Sequence, residues 1–212
     1  MNILKGTAVC LALLAMSAPA LGYVKSSNAN LKAGEQLHAP AFGVTLPPIG
    51  YVQFCARYKA ECRATGNDSR IASLTNKTWS QIVEVNSFVN TKIAPTTDQE
   101  LYDTVERWEY PSIAGDCEDY VLLKKRYLEG LGFPAETLLI TVVLDEHGEG
   151  HAVLMVHTDG GDFVLDNRRN TVLRWSETGY TYLKRQSRKN PRIWVSMNNK
   201  DNRSRGTIAG AN

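Results

Sequence analysis

From Asn76 onward, Trp79, Ile82, Val83, Asn86, Val89 and Ile93 recur every three or four residues, and the run ends before Pro95. That interval lines one face of a helix, and a proline stops it by pushing the preceding residue out of helical geometry. A shorter helix is predicted over 98–110, with Tyr102, Val105 and Trp108 inward and Pro111 as its stop. A second long helix is predicted from about Cys117 to Leu131, opened by Gly115 and Asp116 and closed by Gly130, Gly132 and Pro134. Its inner stripe reads as Val121, Leu122, Tyr127, Leu128 and Leu131. The pattern then shifts to short β-rich runs: LLITVVL (138–144), HAVLMVH (151–157), DFVLD (162–166) and TVLRW (171–175). DGGD at 159–162 is a tight hairpin signal between two of them. Helices followed by an antiparallel sheet predict an α+β fold, a helical lobe packed on that sheet.

The two ends follow neither pattern. Lys5 precedes GTAVCLALLAM and then SAPALG, a signal-peptide layout over 1–22 with cleavage expected after Ala20 or Gly22. Residues 23–50, with Pro40, Pro47 and Pro48, read as an extended N-terminal arm, 51–197 as the folded domain, and 198–212 as a polar, disordered tail. No other segment reaches the roughly 20 apolar residues of a membrane span, so the mature chain is expected to be exported, periplasmic or secreted, without one. Of 212 residues, 43% are apolar and 22% charged, and the net charge of +2 is too small to argue for nucleic acid or a membrane surface.

Export changes how the cysteines are read. Without Cys10, an oxidising compartment meets Cys55, Cys62 and Cys117, and the natural partition is a Cys55–Cys62 disulfide with Cys117 free. Seven residues of straight helix would hold the pair roughly 10 Å apart, beyond the roughly 7 Å that a bridge tolerates. FCARYKAEC must therefore turn or break.

Cys117 falls in the first turn of its predicted helix, where unpaired N–H groups and the dipole favour a thiolate. If Asp159 and Gly160 form a two-residue turn, Thr158 faces Gly161 and His151 faces Arg168. Asp166 is then a diagonal neighbour of His151 on the same side of the sheet. Cys117 as nucleophile, His151 as base and Asp166 as orienting carboxylate form a set suited to acyl transfer. The Cys117 N–H would serve as one oxyanion donor. Taken singly, each residue has a plainer role: Cys117 as a buried structural thiol, Asp166 as the start of a turn. His157 with Asp162 is a rival pair, His147 lies in the DEHGEG loop, and His38 reads as a surface residue of the arm. Asp116 and Glu118 flank the cysteine, and their charge opposes its ionisation.

GDCEDY with its KR-containing helix, then GHAVLMV, then LDN, preceded by TWSQIVEVNSFVN, resembles the bacterial transglutaminase-like cysteine proteinases over about residues 76–183. The resemblance implies a papain/transglutaminase-like fold and the Cys117–His151–Asp166 triad. It also implies a calcium site in which Asp116 and Glu118, with Asp119 as a third ligand, bind Ca2+, joined by carbonyls or acids near 134–146. The bland alternative makes Asp116 an N-cap and the other two first-turn charges. As partners it implies a protein substrate such as a surface adhesin, cut to release a biofilm, and an inner-membrane receptor. The arm, the Cys55/Cys62 pair and the basic residues Arg203 and Arg205 lie outside the matched segments, so the substrate does not carry over with the triad. Two rivals stay open: a transglutaminase or amidase using the same triad, and a non-catalytic exported binding module.

Overall fold

In the computed structural model the described residues are 36–64, 66 and 69–199, all within one compact unit, Ala33–Asn212. The signal-peptide reading, residues 23–35 of the arm and residues 200–212 of the tail lie outside them. The chain runs through β1 (Gly43–Thr45), α1 (Ile49–Arg57), α2 (Asn76–Lys92), β2 (Ala94–Pro95), α3 (Asp98–Tyr102), β3 (Ala114–Gly115) and α4 (Cys117–Gly130). It continues with β4 (Leu138–Leu144), β5 (Gly150–Thr158), β6 (Gly161–Asp166), β7 (Arg169–Arg174), β8 (Thr181–Gln186) and β9 (Trp194–Ser196). Short 3-10 turns at Ala135–Thr137 and Trp175–Glu177 link some of these. Among the described residues, no helix is long and apolar enough to cross a membrane.

The architecture is α+β. Seven strands form an antiparallel sheet in the order β1-β9-β8-β4-β5-β6-β7, and β2 and β3 make a separate parallel pair. β5 lies inside the sheet, and both its faces are covered. Ala152, Leu154 and Val156 point into a core shared with α1, α2 and α4. Val153 and Met155 join Leu139, Val143, Val164, Tyr180 and Tyr182 on the opposite face. A strand buried on both sides has to be apolar without alternation, as HAVLMV is.

The helix boundaries have local causes. α2 begins where Thr75 and Thr78 cap each other reciprocally, and its inner face buries Ile82, Val85, Asn86 and Val89. Asn86 is tolerated there because its Nδ2 donates to the Arg169 and Asn170 carbonyls at 3.0 and 3.1 Å. The helix predicted over 98–110 ends at Tyr102 instead. Asp103 adopts a left-handed conformation, φ 53°, which aspartate tolerates better than most residues. Val105 is consequently exposed, while Trp108 still reaches the core from an extended segment. On α4 the buried set includes Tyr120, Val121, Leu122, Lys124 and Leu128, whereas Tyr127 and Leu131 face outward.

α1 stops at Arg57, and the chain turns back so that Cys55 and Cys62 form a disulfide with 5.6 Å between their α-carbons. Both cysteines are buried beside Tyr51 and Phe54, which join Trp108 and Trp194 in an aromatic cluster that fixes α1 to the sheet. Closing so short a loop restricts the unfolded chain by about 2–3 kcal/mol. The Cys55→Ala/Cys62→Ala double variant should lose that much in urea unfolding, and an unchanged midpoint would contradict a stabilising role.

Candidate active site

Three elements meet at the site. α4 begins at Cys117, packed partly against the helix-side core. Gly115 precedes it in β3 because a Cβ there would stand 2.7 Å from Asp119 Oδ2 and 2.8 Å from Asp119 Cβ. β5 and β6 meet in the register Thr158↔Gly161, His157↔Asp162 and Leu154↔Leu165. His151 and Asp166 lie beyond the open end of this ladder, and His151 Nε2 is 2.9 Å from Asp166 Oδ1. The backbone N–H of Ala152, adjoining His151, lies near enough to the Cys117 sulfur to favour its thiolate. Cys117 at the start of α4 thus neighbours the strand residue that follows His151, whose ring meets Asp166.

Asp166 is the most heavily supported group there. Tyr180 Oη donates to its Oδ2 at 2.6 Å, the Arg168 N–H donates to its Oδ1 at 2.9 Å, and Arg169 Nε lies 3.3 Å from Oδ2. Asn90 of α2 donates to its backbone carbonyl at 2.9 Å. Burial alone would raise its pKa, but the bonds from His151, Tyr180 and Arg168 outweigh it and hold the carboxyl at about 2. An ionised Asp166 only accepts, so His151 carries its proton on Nε2 and Nδ1 is left as the basic nitrogen.

The thiol is in the opposite situation. Burial first, and then the charge of Glu118, push Cys117 well above the usual thiol range, against the opposing Ala152 N–H. Its Sγ donates to Glu118 Oε2 at 3.1 Å. Asp116 occupies the N-cap position but its side chain makes no cap hydrogen bond. Burial, followed by the neighbouring Glu118 charge, raises Asp116, and burial raises Glu118.

Asp116 and Glu118 each bring a carboxylate oxygen together with one from Asp98 of α3, all within 4.8 Å of one another. Asp98 Oδ1 and Asp116 Oδ1 are buried without a hydrogen-bond partner. Orphaned, converging carboxylate oxygens are the donor set of a hard cation, so these residues fit calcium. Asp119 is outside that group: its Oδ1 accepts the Glu109 N–H at 2.8 Å, while Oδ2 is another orphan. Burial raises it to about 8. The acids near 134–146 are engaged elsewhere, Glu136 with Arg70 and Asp145 with Arg168. The loop after α3 takes their place: Asp98 joins the cluster, and the Glu106 charge is felt at both Asp116 and Glu118.

Asp98, Tyr180 and Asn90 are additions that the sequence reading lacks. The Thr97/Glu100 capping box does mark Asp98 as a first-turn acid, but nothing local to Tyr180 or Asn90 marks Asp166 as their partner. Lys124, two turns along α4, is fully buried with no hydrogen-bond partner for its Nζ, and burial lowers it to about 7 against the pull of Asp166. His147 stays in the turn that Asp145 caps. The rival pair also makes contact, His157 Nδ1 lying 2.6 Å from Asp162 Oδ1, at the other end of the hairpin.

The profile of a family described as bacterial transglutaminase-like cysteine proteinase (BTLCP) matches residues 41–202. Among solved structures, calcium-bound LapG of Legionella pneumophila is similar at TM-score 0.49 and 23% identity, over 57% of this chain and 70% of that one. The EGTA-treated form of the same protein gives TM-score 0.45 and 24% identity, over 55% and 66%. No curated protein matches the sequence.

Asp166 has a depressed pKa, so its contribution to stability is full above the unfolded carboxyl range, about pH 4, and is lost as pH falls toward 2. Tyr180→Phe removes one of the bonds that hold it there. It should cost about 1–2 kcal/mol near neutrality, and the deficit should shrink in acid as Asp166 protonates. Urea unfolding of both proteins across that range measures it, and a deficit independent of pH would contradict the assignment.

Proposed function

The chain belongs to the bacterial transglutaminase-like cysteine proteinase family and is a cysteine peptidase; from that premise we propose that it is an exported endopeptidase working through Cys117, His151 and Asp166. The observation that supports this reading is the 2.9 Å His151–Asp166 contact on the strand pair beside the first turn of α4, where Cys117 stands.

In this mechanism His151 Nδ1 takes the thiol proton and Asp166 steadies the resulting imidazolium through Nε2. The thiolate attacks the peptide carbonyl, and the Cys117 N–H, at the start of α4, donates to the developing oxyanion. The imidazolium protonates the departing amine, leaving a thioester. Water, deprotonated by the same Nδ1, then releases the acyl group and restores the thiol.

Asp98, Asp116 and Glu118 would hold calcium, with Asp119 and Glu106 beside them. Bound there, Ca2+ would neutralise the acids around the nucleophile and fix the turn that opens α4. The substrate proposed is a periplasmic or cell-surface protein. A surface adhesin, with control by an inner-membrane receptor, is the specific candidate that the family resemblance supplies. The working units are a signal peptide over 1–22, an arm to residue 50, a catalytic domain over 51–197 and a polar tail.

Cys117→Ala and His151→Ala should each lower kcat/KM by at least about a thousandfold, and Asp166→Asn by about a hundredfold or more. Comparing exported and surface proteins made with and without Cys117→Ala identifies the substrate. New protein termini are expected, whereas crosslinked products would favour the transglutaminase reading. EGTA should abolish activity and lower the melting temperature, with Ca2+ restoring both in the natural protein but not in Asp98→Asn or Asp116→Asn. If EGTA has no effect and Asp116→Asn is silent, the acids are only helix-end charges.

A further inference from the structure

The β5–β6 hairpin carries a second cluster at its closed end, roughly 20 Å along the strand from His151. His157 directly faces Asp162 in the ladder, with Nδ1 2.6 Å from Asp162 Oδ1. His38, from the segment ahead of β1, brings its own Nδ1 to 3.1 Å from that same oxygen. The two rings lie 4.5 Å apart between centroids. The other carboxylate oxygen is already committed, since Oδ2 accepts the Ala39 N–H at 2.8 Å.

Backbone contacts hold His38 in place from both sides. The Asp162 N–H donates to the Leu37 carbonyl at 2.9 Å, and Ala39 makes its bond on the other flank. Gly161 makes this approach feasible: its φ is 119°, and a Cβ would stand 2.9 Å from the Leu37 oxygen. Asp162 is buried, His157 mostly so, and His38 is 39% exposed at its side chain. One side of the cluster therefore faces water.

We propose that His38, His157 and Asp162 form a transition-metal site, best suited to Zn2+, with the two Nδ1 atoms and Oδ1 as ligands and water in the fourth position. One ligand atom from each of the three residues falls within 4.8 Å of the others. Zinc bonds of about 2.0–2.1 Å at tetrahedral angles set ligand atoms about 3.4 Å apart, so the observed contacts to Oδ1 need open by less than about 1 Å. Two imidazoles and one carboxylate oxygen suit Zn2+, while Ca2+ and Mg2+ demand an oxygen shell this cluster lacks. On binding, each imidazole would carry its proton on Nε2, which frees Nδ1 to ligate in place of its present contact with Asp162. The bound ion would pin the segment ahead of β1 onto the hairpin. This site shares no residue with the catalytic reading and does not depend on it.

Zn2+ binding is best measured on the Cys117→Ala chain, which removes the free thiol as a competing ligand, in excess Ca2+ to occupy the acidic cluster. Equilibrium dialysis should give about one Zn2+ per chain. The melting temperature should rise by roughly 5–10 °C at a hundredfold excess over the dissociation constant. Co2+ in its place should show the visible bands of tetrahedral coordination. His38→Ala keeps the flanking backbone bonds and so folds; it should weaken Zn2+ binding about a hundredfold, and His157→Ala should do likewise. Absence of stoichiometric Zn2+, or full affinity retained in His38→Ala, would overturn the proposal.

Discussion

A two-residue turn at Asp159 and Gly160 sets Thr158 opposite Gly161, and every later pairing of β5 with β6 follows from it. A slip of one residue would turn His151 and Asp166 to opposite faces of the sheet. It would also invert Leu154, Met155 and Val156 against Phe163, Val164 and Leu165, all of them buried. Each such side chain is worth about 1.5–3 kcal/mol of burial, well above the about 1 kcal/mol of a typical net hydrogen bond. The hydrophobic core, more than the His151–Asp166 contact itself, therefore fixes where His151 sits. The bonds from Tyr180, Arg168 and Asn90 then lock the carboxylate within that frame.

The helix end contributes a conflict. Unpaired N–H groups at the start of α4 favour a thiolate, but Cys117 is half-buried and bonded to Glu118, both of which oppose ionisation. Asp116 holds the N-cap position without capping, and Asp98 is brought in from another element to share the same space. A sequence selected for stability alone would not gather unsatisfied acids around one cysteine. Local inconsistency of this kind belongs to functional sites, and a bound dication would resolve it.

Much of this is legible along the chain because strong periodicity and clear punctuation coincide. LLITVVL corresponds residue for residue to β4, and DGGD marks a real hairpin whose register follows from its turn length. The polar strands are hidden: β8, TYLKRQ, has neither alternation nor an apolar run, and β1 and β9 are three residues each, formed only by pairing. Apolar spacing overextends α3 because the left-handed Asp103 is a backbone event with no hydrophobic signature. Lys124 replaces Tyr127 on the inner face of α4, since spacing gives a helix face but not its tilt against the sheet. Asp98 reaches Asp116, and Tyr180 reaches Asp166, by tertiary routes that local pattern does not encode.

The central claim is that His151, oriented by Asp166, activates Cys117. The rate at which a neutral alkylating reagent modifies Cys117, followed against pH, tests it most directly, because it reads thiolate formation without a substrate. The natural protein should be labelled rapidly near neutral pH, and His151→Ala should shift the profile toward the alkaline range of an unassisted thiol. Asp166→Asn should fall between the two. Equal rates in the natural protein and His151→Ala across the whole range would contradict the account.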